Sequence, residues 1–182
     1  NKWLERITKF SSEINYLLAD IQIKGTAKLD GFAGYDDGNK LYTRGDGNKG
    51  SDISRVFERG LGVFNNSERG QGPGEIVIKR SYFEKHLSNH FEFPRNFQAS
   101  LIKEKELDSF AIDAISEKAA LFVPFAQLPQ WLGSIDEFSS QFLDIVGQLE
   151  GGVDFDIDGV VFEIVNPELK EYMGSNRKFH RW

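Results

Sequence analysis

Lys28 stands two residues before Asp30 and three before Gly31 in "AKLDG", and Arg44 follows in "TRGDG" beyond a turn-rich stretch. These residue types suit group transfer at phosphorus. A lysine becomes a nucleophile when desolvation or nearby positive charge strips a proton from its ammonium. Attack on a phosphate also needs cations and donors around the oxygens, where negative charge builds. Arg44 offers a planar fork that fits a phosphate or a ribose. The tetrapeptide K-x-D-G does not decide the matter, since about one chain in twenty-five of this length shows it by chance. On residue types alone, Lys28 and Arg44 are either two surface charges beside flexible turns or a nucleophile and the group that orients its target.

The elements that must position them follow from periodicity. Trp3, Ile7, Phe10, Ile14 and Leu17 recur in steps of four and three, which predicts an amphipathic helix over about the first eighteen residues. "IQIKGTAKL" alternates as a strand, and "DDGN" at 36–39 predicts a hairpin between "FAGY" and "KLYTR". Residues 63–74 read as a Gly-rich loop and "EIVI" at 75–78 as a strand. Ser81 with Glu84 predicts a capping box opening a helix to about His90, and Ser134 with Glu137 predicts another. "FPRNFQASLIKEKELD" is partly helical after its proline, and "AALFVPFAQL" is a buried strand. "FDIDGVVFEIV" is the last strand, followed by a short helix with Pro167 in its first turn. Strands and helices mixed without a βαβ rhythm indicate an α+β fold.

Composition sets bounds. The chain has 182 residues and 40% hydrophobic content with 16 Phe, enough for a core. A net charge of −6 excludes a large basic field for non-specific nucleic-acid binding. Zero cysteines exclude disulfides and thiolate metal sites and fit a reducing, cytoplasmic setting. No apolar run is long enough to span a membrane. Starting at Asn1 and stopping at "RKFHRW", the chain reads as an excised piece.

"KLDG" at 28–31, "TRGDGNKGSDIS" at 43–54, "GE" at 74–75, "FPRN" at 93–96, "FDIDGVV" at 155–161 and "RW" at 181–182 occur in one order. In that order they resemble the adenylation, or nucleotidyltransferase, domain of NAD-dependent DNA ligases over roughly residues 20–182. The resemblance implies the ligase/mRNA-capping-like nucleotidyltransferase fold, with antiparallel-rich sheets flanked by helices. Residues 1–19 would be an N-terminal helix packing on the domain, without the upstream nicotinamide-mononucleotide-binding domain and without the last motif and OB domain. It implies that Lys28 attacks the adenylyl phosphate of NAD, expels nicotinamide mononucleotide and carries AMP to a 5′-phosphate at a DNA nick. Asp30 and Gly31 would lie beside the lysine and ribose, Arg44 and Glu75 would hold and orient the nucleotide, and Phe125 would stack on adenine. Arg95 would meet the nick phosphate. Magnesium, nicked duplex DNA and other ligase domains on the same or a separate chain are the implied cofactor and partners.

The string departs from the family in four places. Glu163 stands where the family's "DGVVxK" block has a lysine that contacts the AMP phosphate, Thr26 replaces a glutamate, the last motif's lysine would come after Trp182, and residues 1–19 lack the pattern of the upstream domain. An ATP-using ligase or capping-type enzyme, or a non-catalytic nucleotide- or DNA-binding domain, are the alternatives. On residue types alone Glu75 is a strand-edge carboxylate and Phe125 a core aromatic. His86 and His90 have metal-ligand spacing but read as a helix face. "DFDID" at 154–158 alternates along a strand, so its carboxylates do not all face one ion. "NRKFHRW" mixes bases and aromatics and suits either nucleic-acid contact or a solvated strand.

Overall fold

Alternation of buried and outward residues along "QIKGTAKL" builds the first strand, and the same local logic builds most of its neighbours. A computed structural model describes residues 2–45, 49–103 and 106–174. Residues 46–48, 104–105, "NRKFHRW" and the "RW" pair lie outside the described residues. Among the described residues the order is α1 (Lys2–Glu13), β1 (Gln22–Leu29), β2 (Phe32–Asp36), β3 (Leu41–Thr43), α2 (Arg55–Glu58), β4 (Gly62–Val63) and β5 (Gly72–Ile78). Then come α3 (Arg80–Tyr82), α4 (Pro94–Leu101), α5 (Ser109–Ser116), β6 (Ala120–Pro124), β7 (Gln130–Ser134), α6 (Ile135–Ser140), α7 (Phe142–Gly151), β8 (Ile157–Ile164) and α8 (Pro167–Met173). Helices mix with sheets that are largely antiparallel, an α+β arrangement. Among the described residues no helix is long and apolar enough to cross a membrane.

The chain divides into two compact units, one built from residues 28–128 and 153–159, the other from the segments flanking these. In the flanking unit a three-stranded sheet has the order β7-β1-β8, and Gln22 to Thr26 pair antiparallel with Ser134 to Gln130. Ile7, Ile21, Ile164, Leu169 and Met173 form its buried cluster, against which Trp3, Phe10 and Ile14 pack. The predicted first helix is shorter than its apolar stripe. Asn15 takes a positive φ of 56° and the chain turns out of the helix, so Leu17 is 68% exposed rather than on the packed face. Ser134 and Glu137 do form the capping box of α6. The single helix expected beyond it is two helices, broken at Gln141 (φ −118°, ψ 19°). The edge strand β7 has no counterpart in the sequence expectations.

In the other unit, a five-stranded sheet runs β3-β2-β5-β6-β4, antiparallel except for the β4–β6 pair. Leu41, Ile76, Ile78, Phe97 and Phe122 anchor its core. The predicted hairpin is present: Asp37 Oδ1 accepts from the Asn39 and Lys40 amides at 2.9 and 2.7 Å, and Gly38 adopts φ +95°. Asp36 is more than a turn residue. It is 1% exposed and accepts from Arg69 Nη2 at 2.7 Å, while the Arg69 guanidinium lies 3.9 Å from the Phe57 ring centre. Burial alone would raise the Asp36 pKa, but hydrogen bonds from Arg69, Gly70 and Gly38 outweigh it and hold the carboxyl below its ordinary value.

Two expectations here need correction. Residues 63–74 are not simply loop, because β5 starts at Gly72 and pairs with Asp36 of β2. Ser81 does not cap a helix, because helix α3 begins at Arg80 and a distant carboxylate serves its first turn. Asp154 accepts from the Ser81 amide at 3.1 Å and from its hydroxyl at 2.5 Å. Helix α3 then runs into a π-turn at Phe83–Leu87, where His86 packs on Tyr82 with ring centres 4.6 Å apart. His90 packs on Phe110 of α5 at 4.5 Å.

Candidate active site

Lys28 follows the buried Ala27 on β1, and its side chain emerges into solvent because strand side chains alternate between faces. Its amine donates to the carboxylate of Asp158. That contact holds the Asp158 pKa below its usual range. The turn after Lys28 is fixed by the backbone, the Asp30 amide donating to the Asp156 carbonyl at 2.9 Å. The "DFDID" string therefore splits its work: Asp154 serves Ser81, Phe155 is buried, and Asp158 meets Lys28. Burial raises the Asp156 pKa and nearby Asp30 and Glu84 add to the rise, while Arg80 opposes it.

Helix α4 grips Asp30 twice. Pro94 fits the first helical turn, where no amide bond is lost. One residue on, Arg95 Nη1 donates to Asp30 Oδ1 at 3.2 Å. Three residues further, on the same helix face, Gln98 is completely buried. With its amide assigned to satisfy its neighbours, Gln98 donates to the Asp30 carbonyl at 3.2 Å and accepts from the Ile78 amide at 3.3 Å. Sequence reasoning did not single out Gln98 or Asp158. The i, i+3 spacing of Arg95 and Gln98 is the one local signal, and it points nowhere until Asp30 is placed beside it.

Glu75 comes from β5, opposite Ala33 of β2 and Val123 of β6. Among the described residues its Oε2 is buried without a hydrogen-bond partner. Burial pushes its pKa up, and the neighbouring Asp30 adds to the rise. The Gly31 amide, Arg95 and Lys28 pull it back. Gly31 has no room for a side chain: a Cβ there would sit 2.6 Å from the Ile76 carbonyl oxygen and 2.8 Å from Glu75 Oε2. Lys28, Asp30, Gly31, Arg44, Glu75 and Arg95 all line one pocket of about 370 Å³, with Asp158 at its wall. Arg44 and Glu75 also line a second cavity of about 940 Å³ that holds Phe125. Phe125 is not in the core. It opens a 3-10 turn after β6 and is 39% exposed. Three cations, two of them ion-paired with Asp158 and Asp30, and a carboxylate with one unpartnered oxygen suit a ligand that carries both an anionic group and hydroxyl donors.

The chain is similar from end to end to proteins named DNA ligase. It is 63% identical over 182 residues to the one from Ruthia magnifica subsp. Calyptogena magnifica, covering 100% of this chain and 30% of that protein. It is 52% identical over 181 residues to the one from Shewanella baltica (strain OS155 / ATCC BAA-1091), covering 100% of this chain and 28% of that protein. A more distant DNA ligase, from Wolbachia sp. subsp. Brugia malayi (strain TRS), is 30% identical over 208 residues, covering 99% of this chain and 30% of that protein. The chain thus spans about 30% of the length of the curated relatives it matches. No protein-family model matches it.

Like Thr26, Glu163 belongs to the flanking unit. There it sits between two lysines: Lys24 is ion-paired with its carboxylate and Lys170 Nζ lies 2.7 Å from Oε2. Burial would raise its pKa, but hydrogen bonds from Lys170 and Lys24 outweigh burial and lower it. Among the described residues no three His, Asp or Glu side chains group as metal ligands.

Proposed function

We propose that this chain is the adenylation domain of an NAD-dependent DNA ligase with a nucleotidyltransferase fold. The observation that carries the reading is the convergence of Lys28, Arg44, Arg95 and Glu75, whose Oε2 is unpartnered, on one pocket. Lys28 Nζ is the nucleophile. Asp158 is held below the usual carboxylate range and is therefore a poor proton acceptor, so its part is to aim the amine. The proton leaves to solvent, to which the Lys28 and Asp158 side chains are 52% and 62% open. Nζ then bonds to the α-phosphorus of NAD, and the bond from that phosphorus to the oxygen of nicotinamide mononucleotide breaks with its electron pair. Arg44 and Arg95 meet the charge on the phosphate oxygens. Glu75 Oε2 accepts from a ribose hydroxyl, which would end its unpartnered state, and Phe125 offers its face to the adenine ring. Asp30 and Asp158 are already paired with Arg95 and Lys28, so a magnesium ion would be held chiefly by the substrate phosphates, where it would neutralise their charge. The lysine-bound AMP then passes to the 5′-phosphate of nicked duplex DNA, held together with other ligase domains, in the cytoplasm.

The test is an intact-mass measurement on the chain together with those other ligase domains, with magnesium and either NAD or ATP. A one-AMP adduct formed from NAD and lost in Lys28→Ala is the expected result. An adduct from ATP alone would assign an ATP-using ligase or capping-type enzyme. No adduct from either would leave a nucleotide- or DNA-binding domain without transfer chemistry.

A further inference from the structure

The ladder between β2 and β5 stops one rung short of the turn that follows Lys28. Phe32 stands opposite Ile76, Gly34 opposite Gly74 and Asp36 opposite Gly72. The Ala33 carbonyl accepts from the Arg44 amide on the β3 side, so Phe32, Gly34 and Asp36 are the residues that turn their backbone groups toward β5. One step further in that register, Asp30 falls opposite Ile78. A bond from the Ile78 amide to the Asp30 carbonyl would be the next rung. In its place stands the side-chain amide of Gln98, which donates to that carbonyl at 3.2 Å and accepts from that amide at 3.3 Å.

Gln98 is completely buried, a site where an apolar side chain is the ordinary choice. Asp30 is held from three other directions at once: its amide donates to the Asp156 carbonyl, and its carboxylate accepts from Arg95. Gly31, the next residue, is pressed onto β5, with room for no Cβ beside the Ile76 carbonyl, and its amide bonds the Glu75 carboxylate. Gln98 therefore props Asp30 away from β5 beside the point where Gly31 lies against it. Without the prop, a buried amide and a buried carbonyl lose their partners and are satisfied by closing on each other. That closure would draw Asp30 toward β5 and carry Lys28, two residues back, off its line.

We propose that Gln98 is a positioning residue for the transfer reaction: its side-chain amide is a spacer in the β2–β5 ladder that sets the path of the Asp30–Gly31 turn and so aims the Lys28 amine. Its part in the reaction rests on the adenylation reading above. Gln98 touches neither the nucleotide nor the amine and acts through the Asp30 backbone alone.

The experiment uses the chain together with the other ligase domains and follows AMP adduct formation from NAD by intact mass. Gln98→Met keeps most of the volume and removes both bonds. It should slow adduct formation at saturating NAD roughly tenfold or more and leave the half-saturating NAD concentration within about twofold, because the groups assigned to the nucleotide lie on other strands. Gln98→Glu adds a pH signature. Its acid form offers the same donor and acceptor, and burial keeps a carboxyl in that form to higher pH than usual. Asp30, Glu75, Arg95 and Asp156 are common to both proteins, so the ratio of its rate to the parent's should fall roughly fivefold from about pH 6 to about pH 9. Amide hydrogen exchange at Gly31, which bonds Glu75 and not Gln98, should quicken in Gln98→Met. An unchanged rate at saturating NAD, or a ratio that does not move with pH, would overturn the role. If neither variant folds, Gln98 serves the core alone and the proposal falls. If the parent itself forms no adduct, the adenylation reading fails, and exchange at Gly31 decides the spacer by itself: faster exchange upholds it and unchanged exchange overturns it.

Discussion

The amine of Lys28 donates to the carboxylate of Asp158, the two brought together from strands 130 positions apart in the chain. The pair is open to water, so it adds little to folding. On the adenylation reading proposed above, its value lies in where it holds the amine. Asp158→Asn should therefore change the denaturation midpoint hardly at all and slow adduct formation with NAD at least tenfold. Equilibrium unfolding and a time course of intact mass check the two halves. Unchanged adduct kinetics would remove Asp158 from the reaction.

Glu75 carries a testable pH signature. Burial raises its folded pKa above the ordinary 4.5, so the folded state prefers the protonated form. Its favourable contribution is complete below that ordinary value and fades as pH rises through the raised one. Glu75→Gln should accordingly stabilise the free chain at neutral pH by roughly 1 kcal/mol, with the gain vanishing below about pH 4. Melting temperature against pH gives the answer. The same variant should weaken AMP binding, since an amide oxygen accepts from a hydroxyl less strongly than a carboxylate.

Asp36 behaves in the opposite sense. Its folded pKa lies below 3.8, so its contribution is present above that value and is lost as pH falls through the folded one. Asp36→Ala leaves Arg69 unpaired against Phe57 and strips acceptors from two amides. A loss of about 3 kcal/mol is expected at neutral pH, shrinking in acid, read from urea midpoints at several pH values.

Glu163→Lys would restore the residue type that the ligase blocks carry, but it would set three ammonium groups together with Lys24 and Lys170. The variant should lose roughly 1–3 kcal/mol of stability. Glu163→Gln, which removes the charge without adding one, should lose less. Thermal unfolding of both variants separates charge crowding from loss of shape.

What could be read from the string was what local chemistry decides. The β2–β3 turn was legible because Asp37 and Gly38 close it within four residues, and the start of α6 because Ser134 and Glu137 cap each other. Lys28, Arg44 and Glu75 were legible as neighbours only through the order of the ligase-like blocks. The partners that complete the site were not. Asp158 and Gln98 reach Lys28 and Asp30 across long chain separations, and neither lies in a local pattern that names its target. Ser81 misled for the same reason, since Glu84 offered a local partner and Asp154 supplied the actual one. Strand β7 escaped because Gln130 and Leu132 are exposed at a sheet edge, leaving no clean alternation to detect.

The helix cap at Asp154 has a consequence for the order of assembly. Synthesis delivers residues 28–128 first, with Lys28, Glu75 and Arg95 all in hand, yet the unit they belong to lacks residues 153–159 until a further segment has been made. That late stretch brings the acceptor for Ser81, the buried Phe155 and the partner of Lys28. Contacts of such long sequence separation close slowly. The Lys28 amine can therefore gain its carboxylate only after residues 153–159 have been made, and a nascent chain cut short at residue 128 would display the lysine without that partner.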